Sequence, residues 1–210
     1  VGYGFLLRTR NELHLQTKRL TDNIPKALQP KIAWQLGYKD RSPARRLETF
    51  MRDLYIHMRG IHLITRMVER RLALRPKPAR RLPSLRSIFG GGKKTDTLDG
   101  FNIIDGELVP ISHRIFRDQP RRLIRVFLHA QQRGLEFHPD LTQLLRDNVS
   151  LVDDDFVHDT ENHETFLEIL NQRGNVAPAL RAMHEVDLLG RYIPEFGRMT
   201  CLVQHEFFHA

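Results

Sequence analysis

Apolar residues recur at three- and four-residue steps over most of the chain, the period of a helix with one face turned inward. Over about residues 3–20, Leu6, Leu13 and Leu20 stand between charges. Over about 24–36, Ile32, Trp34 and Leu36 mark a shorter helix. Gly37 follows as a C′ residue, and Pro30 inside the span predicts a kink or a split. The longest run opens at Ser42-Pro43, an N-cap followed by proline at the first helical position. From Pro43 to Leu74, the residues Leu47, Met51, Leu54, Met58, Ile61, Val68 and Leu72 hold the step. They predict a helix of roughly 45 Å whose stripe is core rather than a cofactor site. Gly60 in its middle admits a bend or close packing.

Residues 75–99, "RPKPARRLPSLRSIFGGGKKTDTLD", break the period with three prolines, a triple glycine and seven basic residues before the first acid. They read as a linker or long loop. Gly90-Gly91-Gly92-Lys93-Lys94 lacks the spacing and the Ser/Thr of a phosphate loop. In "GFNIIDGELVPIS" two short apolar runs flank Asp105-Gly106, a strong hairpin signal. Helices are then expected over about 118–133, opening at Asp118 with Pro120 in the first turn, and over 139–150, 160–173 and 175–187. "LLGRYIPEFG" reads as a short turn into a final helix. No internal repeat is apparent. The pattern predicts an all-α protein, a multi-helix domain with one long helix and one small β-hairpin.

Composition narrows the class. With 40% apolar and 28% charged residues, 210 residues suit one large or two small folded domains. No window approaches 18 uncharged apolar residues, so no membrane partner is expected. The start, "VGYGFLLRTRNELHLQ", lacks the layout of a signal peptide and reads as the interior of a longer chain. A single cysteine, Cys201, gives no internal disulfide and suits a reducing cytoplasm. Residues 1–95 carry 22 Lys+Arg against 6 Asp+Glu, and residues 96–210 carry 11 against 19. Such asymmetry suits either two sub-structures that attract each other or a basic face turned toward phosphates.

The chain closes with "HEFFHA", in which His205, Glu206 and His209 match the H-E-x-x-H string of zinc proteases. A catalytic zinc needs a third protein ligand and an open position. Only Ala210 follows, and nothing marks His184 or Glu195 upstream as that ligand. His205 and His209 are therefore read as the rim of an amphipathic helix with Met199, Leu202, Val203 and Phe207 on its apolar side.

An ordered series of segments resembles a known family. "GFNIIDGELVPISHRIFRDQPRRLIRVFLHAQQRGLEFHPDLTQLLRD", "TFLEIL", "ALRAMHEVDLLGRYIPEFGRM" and "QHEFFH" are similar to the middle of bacterial PII uridylyltransferase/uridylyl-removing enzymes. "LLRTRNELHLQTKRLTDNI" and "IAWQLGY" resemble the helical domain that follows the nucleotidyltransferase domain there. The resemblance implies a helical domain over 1–74, a basic linker over 75–99, a hairpin with a helical subdomain over 100–198, and the start of an HD-type phosphohydrolase region over 199–210. It implies flanking nucleotidyltransferase and HD domains as partners, with UTP and PII as partners of the parent. It also implies Mg²⁺ for the parent, no cofactor in this stretch and no catalytic residue within it.

"DQPRRLIR" is also similar to the E-D-P-x-R-x-x-R stretch of class II CCA-adding and poly(A) polymerases, where an Asp and an Arg face the incoming base. Arg122 and Arg125 match the arginines, while Gln119 replaces the Asp. The resemblance makes Gln119, Arg122 and Arg125 nucleotide-facing candidates, with Arg8, Arg10 and Asn11 as further ones. Two rival readings are an RNA-contacting helical arm like that of the CCA-adding enzymes, against which a nucleic-acid partner is not expected, and a zinc hydrolase at HEFFH.

Overall fold

A computed structural model describes residues 2–72 and 96–202, of which 69% are helical, in 11 α-helices and a small four-stranded sheet. The described residues divide into two units, residues 2–69 with 199–202, and the remainder up to Arg198. Among them no helix is long and apolar enough to cross a membrane.

The first unit holds α1 (Gly2–Thr17), a 3-10 turn (Lys26–Leu28), α2 (Gln29–Gln35) and most of α3 (Pro43–Leu72). Pro30 lies in the first turn of α2, where its missing N–H costs nothing, so the expected helix over 24–36 is split there. Gly37 closes α2 at φ +97°, with Tyr38 N–H donating back to Ala33 O. Phe5, Leu13, Ile32, Ala33, Phe50, Met51 and Leu54 form the core. Tyr38 sits edge-on to Phe50 and donates its hydroxyl to Asp53 Oδ2 at 2.6 Å. Burial, then the Asp53 carboxylate, pushes the Tyr38 phenol well up.

Two expectations about this unit change. Trp34 is exposed, and its ring lies under Lys39 Nζ at 3.6 Å and near the Arg46 guanidinium, a cation–π arrangement rather than a core position. The apolar stripe of α3 is core only in its first half. Met58, Ile64, Val68 and Leu72 are exposed; Leu54 is the last buried side chain of α3, and Phe5 of α1 reaches one turn further only to the half-buried His57, ring centroids 4.6 Å apart. A Cβ on Gly60 would meet nothing within 4 Å, so no close packing among the described residues depends on that glycine.

The second unit begins with β1 (Asp96–Leu98), β2 (Phe101–Ile104) and β3 (Glu107–Pro110), antiparallel neighbours in that order. Leu98 faces Phe101, and Ile104 faces Glu107. Each two-residue connection is Asp-Gly with positive φ at both positions: Asp99 and Gly100 at +49° and +85°, Asp105 and Gly106 at +52° and +83°. This is the type I′ pattern, whose twist matches that of the strands. A fourth strand, β4 (Glu136–Phe137), pairs in parallel with β3. The single hairpin expected from the sequence is thus a four-stranded sheet, and residues 96–99, assigned to the linker, are a strand and its turn.

Around the sheet lie α4 (Ile115–Asp118), α5 (Arg122–Arg133), α6 (Pro139–Asp147), α7 (Asp154–His158), α8 (Thr160–Asn171), α9 (Val176–Glu185), α10 (Leu188–Tyr192) and α11 (Pro194–Met199). Asp118 closes α4 rather than opening a helix. Pro120 pushes Gln119 into extended backbone (φ −144°, ψ 90°), and α5 starts only at Arg122. Phe101, Phe116, Leu123, Ile124, Phe127, Leu141, Leu145, Ile169 and Met183 are among the core residues, with α5 packed on α8 and α9.

"LLGRYIPEFG" is two short helices rather than a turn. They approach so closely that a Cβ on Gly197 would lie 2.5 Å from Gly190 O. Both glycines of that string are demanded by backbone contact.

Candidate functional site

Arg121 is the N-cap residue of α5, and the helix's first turn carries Arg122 and Arg125. Positive side chains are disfavoured at this end of a helix, where the macrodipole is itself positive. Each arginine is met by a carboxylate from elsewhere in the same unit. Arg121 donates Nε and Nη2 to Asp159 Oδ2 at 3.0 and 2.7 Å, and Nη1 to Glu161 at 2.6 Å. Asp159 also caps α8 by accepting from Asn162 N–H. The hydrogen bond from Arg121 holds the Asp159 carboxyl below its ordinary value, and the same bond raises Arg121.

The more enclosed constellation centres on Asp99. Arg122 Nε donates to its Oδ1 at 3.1 Å. Arg125 grips both oxygens, Nε to Oδ2 at 2.9 Å and Nη2 to Oδ1 at 3.0 Å, a bidentate pair. His129 Nε2 lies 3.3 Å from Oδ2. Arg122, Arg125 and His129 share one face of α5, being three and seven residues apart. Side-chain exposure is 18% for Asp99 and Arg122, 31% for Arg125 and 19% for His129. Gly100 completes the fit. A Cβ there would fall 3.1 Å from the Arg122 guanidinium carbon and 3.0 Å from Ile115 Cδ1.

The geometry therefore brings together three of the candidates and leaves the others apart. Arg125 Nη2 also reaches the Oε1 of exposed Gln119 at 3.5 Å. Arg10 belongs to the other unit, where its guanidinium pairs with Asp22 at 2.8 Å; Asn11 beside it, like Arg8, is exposed. His205, His209, Lys93 and Lys94 lie outside the described residues. Glu195, weighed as an upstream zinc ligand, pairs with Arg198 at 2.7 Å. Asp99 and His129 were missed. The signal for Asp99 was present, because Asp99-Gly100 is the same dipeptide as Asp105-Gly106, and His129 continues the Arg122 face.

Chemically, Asp99 is spent. A carboxylate accepting from two guanidiniums has little left for a metal, and among the described residues no group of three or more His, Cys, Asp or Glu converges. The donor set does not fit Mg²⁺.

Two family models match the chain in succession. Residues 2–69 match "GlnD PII-uridylyltransferase", and residues 101–192 match "Uridylyltransferase GlnD third domain". The chain belongs to the uridylyltransferase/uridylyl-removing enzyme family. Curated relatives named bifunctional uridylyltransferase/uridylyl-removing enzyme agree. One from Cereibacter sphaeroides is 31% identical over 98% of this chain, one from Ruegeria pomeroyi 31% over 98%, and one from Azospirillum brasilense 32% over 99%. The chain spans 22% of the length of each. No solved structure matches it. Within this uridylyltransferase family, Arg122, Arg125 and His129 fall inside the third-domain match, and Asp99 stands two residues before it.

Proposed function

We propose that this chain is a positioning segment, without chemistry of its own, in a bacterial cytoplasmic enzyme that transfers UMP from UTP to PII and removes it again. The family supports the parent's activity. The observation that carries the positioning role is the Asp99 constellation, in which the charged side chains that most resemble a nucleotide-reading set are turned onto an internal carboxylate. In this reading Arg122 and Arg125 fasten the β1–β2 turn to α5, and the unit acts as a rigid body between a nucleotidyltransferase domain and an HD domain. The Mg²⁺ of UMP transfer is held on carboxylates outside residues 1–210.

The test has two parts. The isolated 210-residue chain, given Mg²⁺ with UTP and PII, or with uridylylated PII, should show no turnover; turnover in either direction overturns the reading. In the full-length parent, Arg122→Ala should lower thermal stability and leave the KM for UTP unchanged. A raised KM for UTP with wild-type stability would instead make Arg122, with Arg125 and Gln119, a nucleotide-facing group that exchanges Asp99 for substrate.

A further inference from the structure

We propose that a row of residues along α3, Ile56, Gly60, Ile64 and Val68, seats an acidic amphipathic helix from elsewhere in the longer enzyme. This rests on the reading of the chain as one segment of that enzyme. Residues four apart on a helix stand one above another and form the ridges by which helices pack. Ile56, Ile64 and Val68 are 46%, 57% and 42% exposed. Single exposed apolar side chains are ordinary, but aligned ones mark a surface that meets something. The first half of α3 already packs against helices, with Phe50, Met51 and Leu54 buried in the core that α1 and α2 share.

The row has a notch. Glycine inside a helix is destabilising relative to alanine, and close approach of another backbone is one reason to have it there. Gly60 lies well inside α3, and a Cβ on it would meet nothing within 4 Å. Nothing among the described residues accounts for it. A helix laid across α3 at this point passes between Ile56 and Ile64, one turn to either side, and brings its backbone close.

Charge selects the occupant. Arg59 and Arg66 are the charged residues between Ile56 and Val68, and residues 2–69 carry 13 Lys+Arg against 6 Asp+Glu. A second copy would set like charge on like, whereas Asp and Glu flanking the apolar face of an incoming helix are drawn in. The relatives are long enough that this chain spans 22% of them, so most of the polypeptide that can supply such a helix lies outside this stretch. A helix tethered in the same polypeptide acts at high effective concentration.

The test compares hydrogen–deuterium exchange in the 210-residue chain and the full-length parent. Amides of residues 56–68 should exchange at least about tenfold more slowly in the parent, and those of α5 alike in both. Gly60→Leu fills the notch. In the parent it should return residues 56–68 to the rate of the 210-residue chain, and in that chain it should not lower the melting temperature. A photo-crosslinking residue in place of exposed Thr65 in the parent should join to a net-acidic helix of the same polypeptide. The proposal is overturned by equal exchange in the two proteins, by protection that survives Gly60→Leu, by a lowered melt of Gly60→Leu in the 210-residue chain, or by a crosslink to a second copy or to a segment that is not acidic. Equal exchange with an inactive 210-residue chain and an active parent sinks the docking and leaves the reading of the chain as a segment standing. Turnover by the 210-residue chain with slowed exchange in the parent does the reverse.

Discussion

Asp99→Asn isolates the charge at the centre of the second unit. Asparagine tolerates the positive φ of this turn as aspartate does, so the backbone is left alone. What is lost is the carboxylate that accepts from Arg122 and Arg125 and lies beside His129. Breaking one side of a fully buried pair costs about 3–5 kcal/mol, and losing an exposed pair costs about 0–1 kcal/mol. With side chains 18–31% exposed, the expectation falls between, at about 2–3 kcal/mol. For a chain of this length that is a fall in melting temperature of roughly 4–12 °C. Thermal melts followed by circular dichroism, with urea titrations beside them, measure it. A cycle with Arg122→Met/Arg125→Met supplies the control, since the cost of Asp99→Asn should drop below about 0.5 kcal/mol once the guanidiniums are gone. Asp99→Asn melting within about 1 °C of the wild type, or costing as much without the arginines, would refute the clamp.

Gly197→Ala should cost about 1–3 kcal/mol, because its Cβ would collide with Gly190 O, whereas Gly60→Ala, with open space at its Cβ, should gain about 0.5–1 kcal/mol; urea midpoints of the two variants moving together would contradict this. Tyr192 buries a hydroxyl with no partner among the described residues, so Tyr192→Phe should leave stability unchanged or raise it by up to about 1 kcal/mol, and a clear loss would reveal a bond to that oxygen. The Asp159 carboxyl is lowered in the folded state by Arg121, so its contribution is complete above the ordinary aspartate range and lost as pH falls through the folded value. The stability gap between wild type and Arg121→Gln should therefore close below about pH 4, and a gap of the same size at pH 2 and pH 7 would argue against the pairing.

Much of this fold could be read from periodicity and punctuation. Gly37, Gly134 and Gly174, all at positive φ, mark chain reversals where the residue type alone announces them. Long-range pairings were out of reach. β4 is two residues long and gains its identity only from lying beside β3, and no local pattern specifies that. The strand before Asp99 was hidden because the basic, Pro- and Gly-rich run that precedes it set the character of the whole stretch. The α3 stripe misled in the other direction. Periodicity reports that a face is apolar, but not that anything covers it. At the candidate site, the arginines stood out because α5 is a clear helix. Their carboxylate lies more than twenty residues away in a turn, where charge and conformation both favour aspartate and neither points to a partner.

The uncovered half of α3 has a kinetic consequence. Beyond Leu54 its helical hydrogen bonds lack the buried side chains that elsewhere make opening a cooperative event. Most helical stability in proteins comes from packing of an apolar face, and this stretch has little of it. Its amides should exchange with deuterium orders of magnitude faster than those of α5, although both are fully helical. Anything that settles on Met58, Ile64 and Val68 would then announce itself as slowed exchange in α3, with no change in secondary structure at all.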